Sequence, residues 1–449
     1  MSDLIEKALQ TSTDTKAVLA GEQAIDSVAE VFTATFGERP AVVVGDERTM
    51  AVAGNAVIEA LRAGGVEVVD PYVFPGDPEL YAKYENCELL RDELRDVDAV
   101  PVAVGAGTLN DIVKRAAGEL DRPYLVVCTA ASMDGYTAFG SSIAVDGFKQ
   151  TLNCPAPAAC VADWTVMAAA PQVMTASGYG DLLGKVPAGA DWIIADALGA
   201  EAIDDYVWGL VQGPLRASLA KPEALAAGDV PATGELAEGL VMSGLAMQAH
   251  ESSRPASGAE HQFSHLWEME GHGVDIKPRR LSHGFKVAVG SVAIAALYER
   301  FFERDIANLD VDAAVAAYPD AAAMEARSRA AHQPHLVEEV VVQTMAKHLT
   351  PEQLRERLEL LKSLWPTLLP KLQEQLIPAA ELQRMLRAAG APAHPYDIEL
   401  TWPEFKATYQ RAQMIRKRYT VLDLLLELNL LDELVEELFA PGGFWAEQE

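Results

Sequence analysis

Between residues 41 and 130, short apolar runs alternate with segments whose apolar positions recur at helical spacing. Ala41-Val42-Val43-Val44-Gly45-Asp46 is apolar at nearly every position, the pattern of a strand buried on both faces. Residues 49–63 carry a helical stripe that stops at Gly64-Gly65. Val66 to Phe74 predicts a second strand and residues 78–95 a charged helix. Ala99 to Val104 predicts a third strand, followed through a glycine-rich turn by a helix to about Gly118. Tyr124 to Cys128 predicts a fourth strand. This strand–helix rhythm predicts an α/β domain with a mostly parallel sheet and helices on both faces. Ligands of such a sheet sit at the carboxyl ends of its strands.

From about Ala162 the pattern changes to Ala-, Leu- and Glu-rich helical segments. Leu354 to Leu368 and Val421 to Leu438 carry apolar stripes at helical spacing. The division predicted is an α/β, Rossmann-like parallel-sheet domain over residues 1–162 and an all-helical domain over 163–449. The leucine-rich stretch from Tyr419 to Phe439 suits core or dimer packing better than catalysis.

Composition narrows the partners. A chain of 449 residues, 50% hydrophobic, buries a large core and suits two domains. Its net charge of −30 and pI near 4.6 repel nucleic acid and anionic membranes, so neither is an expected partner. Any anion site then needs local positive charge from helix N-termini, lysine or a metal. The start, Met1-Ser2-Asp3-Leu4-Ile5-Glu6, has no signal-peptide core, and no apolar run approaches the roughly 20 residues of a membrane span. The expectation is a cytoplasmic protein. Cys87, Cys128, Cys154 and Cys160 form no CxxC pair and are expected as free thiols, although Cys154 and Cys160 flank a proline-rich turn and lie close in sequence.

Nine histidines are few for this length, which makes their grouping informative. Ser257-Gly258-Ala259-Glu260-His261-Gln262-Phe263-Ser264-His265 puts His261 and His265 on one face of a helix. His283 opens Ser282-His283-Gly284-Phe285-Lys286, just before a run of small and apolar residues. Two such histidines and a carboxylate suit a divalent metal with open positions for substrate. The carboxylate candidate is Asp181, in Gly178-Tyr179-Gly180-Asp181-Leu182-Leu183-Gly184. A packed or solvated histidine pair is the other reading of His261 and His265. HExxH is absent, so a metalloprotease has no support.

Gly105-Ala106-Gly107-Thr108-Leu109-Asn110-Asp111 suits close approach of a pyrophosphate to bare main-chain N–H groups. The third glycine of GxGxxG is missing, and a plain strand–helix turn fits as well. Thr108 and Asp111 have the spacing of a capping box. Thr129-Ala130-Ala131-Ser132-Met133-Asp134 leaves the fourth strand with hydroxyls for a cofactor and an acid for a substrate hydroxyl, or is a capped loop. Asp46 either holds adenosine ribose hydroxyls, favouring NAD over NADP, or caps the next helix.

Together these segments resemble the bacterial glycerol-1-phosphate dehydrogenases of arabinose operons. That group falls within the superfamily of glycerol dehydrogenase, iron-dependent alcohol dehydrogenases and, more distantly, dehydroquinate synthase. The resemblance rests on Gly105–Asp111, Thr129–Thr137, Asp163–Lys185 with Asp191-Trp192, Ser257–His265, Ser282–Gly290 and Arg416–Asp423, and runs from about residue 20 almost to the end. It implies that Asp181, His261 and His283 are metal ligands. Asp181 and His265 would serve catalysis, with Asp134, Asp181 and His265 against the substrate. Gly105, Ala106, Gly107, Thr108, Leu109, Thr129, Ala130, Ala131 and Ser132 would hold NAD(H), with NADP(H) as the alternative. Ala138 stands where the group usually has a serine touching the cofactor. The implied reaction is metal-dependent reduction of dihydroxyacetone phosphate to sn-glycerol 1-phosphate and its reverse. Zinc, nickel or ferrous iron suits the donor set. A homo-oligomer, preferably a dimer, is implied. The rivals are a dehydrogenase of an unphosphorylated polyol or another sugar phosphate, and a lyase like dehydroquinate synthase. The segment Gly271–Arg280, with Lys277, Arg279 and Arg280, either meets a phosphate or is exposed.

Overall fold

Small and β-branched residues dominate the runs that become the central strands, and Val42, Val43, Val44, Val102, Val104, Val126 and Val127 in them are buried. In the computed structural model, which describes residues 3–145, 148–274 and 280–448, the strands are Ala17–Gly21 (β1), Ala41–Asp46 (β2), Tyr72–Phe74 (β3), Val100–Gly105 (β4), Leu125–Cys128 (β5), Ser141–Val145 (β6), Phe148–Leu152 (β7) and Ala159–Asp163 (β8). Six of them form one parallel sheet in the order β1-β8-β5-β4-β2-β3. β6 and β7 pair as a separate antiparallel hairpin.

The expected strands at 41–46, 99–104 and 124–128 are present within a residue. The segment 66–74 is a strand only at Tyr72–Phe74, with a single bridge from Val68 to Ala41. The helix expected over 78–95 covers Tyr84–Leu94. β1 and β8 went unread, because Ala17-Val18-Leu19-Ala20-Gly21 and Ala159-Cys160-Val161-Ala162-Asp163 are short and rich in small residues. On one face the sheet packs Val43, Val102, Val127 and Val161 against Val28, Phe32, Val57 and Leu61, all of them fully buried.

From Trp164 onward the described elements are all helical. The first compact unit comprises residues 1–182, 206–255 and 388–391. The second comprises residues 183–205, 256–387 and 392–449. In the second, Val421–Glu427 is buried along its whole length, and Leu431, Leu434, Val435 and Leu438 of the next helix are buried too, so the leucine-rich tail is core. Among the described residues no helix is long and apolar enough to cross a membrane. The four cysteines are free, and Cys160 lies 3.6 Å from Cys128, sulfur to sulfur, rather than beside Cys154.

Candidate functional site

Parallel register brings the first group of residues together. Val44 pairs with Ala103 and Gly105 with Cys128, so Asp46, Gly105 and Cys128 end up level at the carboxyl edge of three adjacent strands, with Thr129 next along the chain. The Thr129 N–H donates to the Gly105 carbonyl at 3.1 Å. The helix Gly107–Glu119 starts immediately, with Ala106 as its extended N-cap and no side-chain cap bond. Its first N–H groups thus point from the sheet edge with no capping oxygen, as a pyrophosphate site needs. The capping-box reading of Thr108 and Asp111 is therefore corrected: the N-cap is Ala106, and both residues lie inside the helix, Thr108 second and Asp111 fifth. Side chains are excluded here by packing. A Cβ on Gly105 would meet Leu109 at 2.6 Å, and one on Gly107 would meet Met133 at 3.0 Å.

The Thr129–Ser132 loop is held from below. Ala130 and Ala131 are fully buried and Thr129 nearly so. The Tyr136 hydroxyl donates to the Ala130 carbonyl at 2.7 Å, and Ser177 Oγ donates to the Ser132 carbonyl at 3.1 Å. Lys114, which the sequence reading passed over, is buried and donates from Nζ to the carbonyls of Gly135 (2.8 Å), Ala138 (2.7 Å) and Gly140 (3.1 Å). Burial lowers its pKa from the ordinary lysine value. Ala138 is buried, and its own carbonyl is one leg of this clamp. Asp134 accepts from Ser243 Oγ at 2.8 Å, and its main-chain N–H donates to Asp181 Oδ2 at 3.0 Å. Asp181 is fully buried in the helix Gln172–Leu183.

Asp46 is a helix cap. Its Oδ1 accepts from the N–H groups of Arg48 (2.9 Å) and Thr49 (2.8 Å), and Thr49 Oγ1 accepts from the Asp46 N–H at 3.0 Å.

The histidines gather in the second unit. Helix Ala259–Met269 carries His261 and His265, and helix His283–Phe302 begins at His283 behind the N-cap Ser282. A Cβ on Gly290 would lie 2.6 Å from the Glu260 carbonyl, so glycine lets the two helices close up. Ring centroids are 5.2 Å apart for His261 and His283, 5.6 Å for His265 and His283, and 6.0 Å for His261 and His265.

Carboxylates stand behind these rings. Glu260 Oε1 lies 2.7 Å from His261 Nδ1 and accepts from the Gly258 N–H at 2.8 Å. Glu268 Oε1 lies 3.0 Å from His283 Nδ1, and Glu268 Oε2 lies 3.5 Å from His265 Nδ1. A carboxylate only accepts, so each close Nδ1 carries the hydrogen and Nε2 keeps its lone pair. Metal-binding imidazoles commonly have this backing, and the donors fit a divalent ion on that ground. His265, Glu268 and His283 also bring one ligand atom each within 4.8 Å of one another. Desolvation pulls the His265 pKa down to about 3, with Glu268 opposing and the Arg416 charge adding to the effect.

Asp191 orders the start of the histidine helix. It accepts from the N–H groups of Ala259 (2.7 Å) and Val421 (2.9 Å) and from the Tyr298 hydroxyl (2.6 Å). Burial, then the Glu260 charge, push its pKa up to about 7. Lys277 and Arg279, candidates for a phosphate contact, lie outside the described residues.

Residues 19–171 match the iron-containing alcohol dehydrogenase family. The glycerol-1-phosphate dehydrogenase (NAD(P)+) of Bacillus subtilis is 34% identical over 294 residues, 65% of this chain and 73% of that protein. The enzyme of the same name from Halalkalibacterium halodurans is 29% identical over 387 residues, 86% of each chain. That from Geobacillus thermodenitrificans is 35% identical over 263 residues, and the match spans 64% of its length. Among solved structures, a probable glycerol dehydrogenase from Sinorhizobium meliloti superposes over 94% of this chain and 98% of its own, with a TM-score of 0.59 at 16% identity, which speaks for the fold alone. The chain belongs to the glycerol-1-phosphate dehydrogenase family, with a Rossmann-like parallel sheet followed by a helical region.

Proposed function

We propose that this protein is an NAD(P)H-dependent oxidoreductase that reduces dihydroxyacetone phosphate to sn-glycerol 1-phosphate and runs the reverse oxidation. The observation that carries the reading is the cluster of His261, His265 and His283 backed by Glu260 and Glu268, in a chain of this family. In this reading residues 1–162 bind the dinucleotide and residues 163–449 supply the groups for metal and substrate.

Asp181, His261 and His283 would hold one divalent ion, with zinc, nickel and ferrous iron all suited to two nitrogens and an oxygen. A bound ion of this kind supplies Lewis acidity to a ketone, and a nicotinamide supplies hydride. The chain's own part is positioning. Gly105–Leu109 and Thr129–Ser132 would seat the cofactor, with Ala138 under it and Lys114 clamping the loop. Asp134, fixed by Ser243, would accept from a substrate hydroxyl. His265, held neutral by desolvation, would donate or accept at the substrate oxygen rather than add a charge. Orientation of this kind is where such enzymes gain much of their rate.

The test is NADH oxidation with dihydroxyacetone phosphate and, in parallel, dihydroxyacetone, with chiral analysis of the product. Strong preference for the phosphorylated ketone and an sn-1 product support the reading. Preference for the free ketone would move it to a polyol dehydrogenase, and turnover without net change in NADH to a lyase. A homodimer in the cytoplasm completes the proposal, and light scattering on the purified protein checks the dimer.

A further inference from the structure

The ligand and substrate histidines share one neighbour. We propose that Glu268 is the positioning residue of the cluster, a single carboxylate that sets the tautomer and ring orientation of His283 and His265 together. The inference rests on the reading of His283 as a metal ligand and His265 as a substrate contact.

Glu268 sits on the same helix as His265, three residues on, with its side chain 6% exposed. Its two oxygens are divided between two rings. Oε1 lies 3.0 Å from His283 Nδ1 and Oε2 lies 3.5 Å from His265 Nδ1. Ser264 Oγ also lies 3.2 Å from His283 Nδ1. A hydroxyl serves as donor or acceptor and cannot choose the tautomer, whereas a carboxylate accepts only. Glu268 therefore places the hydrogen on Nδ1 of His283 and leaves its Nε2 with a lone pair, while its second oxygen stands on the Nδ1 side of His265. Lys286 Nζ lies 3.9 Å from Glu268 Oε1, an opposite charge beside the buried carboxylate.

Glu260 plays the corresponding part for His261 alone, at 2.7 Å. Its second oxygen is buried with no hydrogen-bond partner among the described residues. A buried carboxylate oxygen without a partner costs stability, which points to a role in the site rather than in the fold. The difference between the two acids is that Glu260 reaches one histidine and Glu268 reaches two, one from each role. Loss of Glu268 should therefore weaken metal binding and substrate turnover at once.

The experiment measures zinc affinity of the purified full-length protein by competition with a chromogenic chelator, together with the melting temperature of the metal-free form. Glu268→Leu removes both acceptors and is expected to weaken zinc binding 10- to 100-fold, the usual effect of removing such a partner. Glu268→Gln keeps one acceptor oxygen, enough for one ring, so its zinc affinity should fall less while kcat/KM still drops. The metal-free melting temperature of Glu268→Gln should match that of the unaltered protein. Should Glu268→Leu not fold, Glu268→Gln alone decides: weakened zinc binding or a lowered kcat/KM supports the role, and unaltered values of both overturn it. A folded Glu268→Leu that binds zinc as tightly as the unaltered protein also overturns it. His261→Ala separates the two levels. If it binds zinc normally, the ligand reading itself fails. If it loses zinc while both Glu268 variants keep theirs, only the positioning role fails.

Discussion

The main-chain N–H of Asp134 donates to Oδ2 of Asp181 at 3.0 Å. One hydrogen bond thus ties the acid assigned to substrate to the acid assigned to the metal. It also ties the loop after β5 to the helix Gln172–Leu183. Asp181 is fully buried, so its charge must be compensated locally.

Asp181→Asn tests which part of this the charge serves. Asparagine keeps an acceptor for the Asp134 N–H and removes the negative charge. The metal-free variant should melt close to the metal-free parent. Added metal should raise the parent's melting temperature by binding linkage, about 2.7 kcal/mol at a hundredfold excess over Kd, and leave the variant unmoved. Stoichiometric metal in purified Asp181→Asn would remove Asp181 from the ligand set.

His261 and His265 share a helix face, yet they carry different assignments. His261→Ala should lower metal content and activity together, because nothing replaces a lost ligand nitrogen. His265→Ala should keep its metal and lose mainly kcat/KM, by roughly 2–4 kcal/mol if it acts as one electrostatic contact in the transition state. Elemental analysis beside steady-state kinetics reads both. Metal lost with His265 and kept without His261 would reverse the two roles.

Gly178 lies directly against the Thr129–Ser132 loop. A Cβ there would sit 2.0 Å from the Ala131 carbonyl oxygen and 2.8 Å from its carbon. Backbone cannot swing aside as a side chain does, so Gly178→Ala must push the Thr129–Ser132 loop. We expect about 1–3 kcal/mol of lost stability, as for other overpacked interiors, and a raised KM for NADH. Unchanged thermal stability with unchanged NADH affinity would mean that the loop is not seated by this contact.

The sheet was legible where strands are unbroken apolar runs, as in Val42-Val43-Val44 and Leu125-Val126-Val127. It was illegible at β8, whose small residues have no strand signature and become a central strand only because β1 and β5 flank them. The histidines stood out by rarity. Glu260 and Glu268 did not, because two glutamates among 66 acidic residues read as solvated surface. Lys114 was hidden for the same reason: its three carbonyl partners at 135–140 are brought to it by the fold and not by the helix it sits on.

Asp46 admits a decisive pair of substitutions. Its Oδ1 is occupied with the N–H groups of Arg48 and Thr49, so a structural role is already in hand. The register also places it level with Gly105 at the sheet edge, where an adenosine ribose would lie. Asp46→Asn keeps a capping oxygen and removes the charge, whereas Asp46→Ala removes both. If the charge disfavours the 2′-phosphate of NADP(H), Asp46→Asn should raise kcat/KM for NADPH relative to NADH. A charge–phosphate repulsion of about 1 kcal/mol in water-exposed surroundings gives roughly a fivefold change. Thermal stability should hardly move in that variant. Asp46→Ala should show the same cofactor shift together with about 1 kcal/mol of lost stability from the missing cap. A variant pair that loses stability only in Asp46→Ala, with the cofactor ratio constant in both, leaves Asp46 as a cap and nothing more.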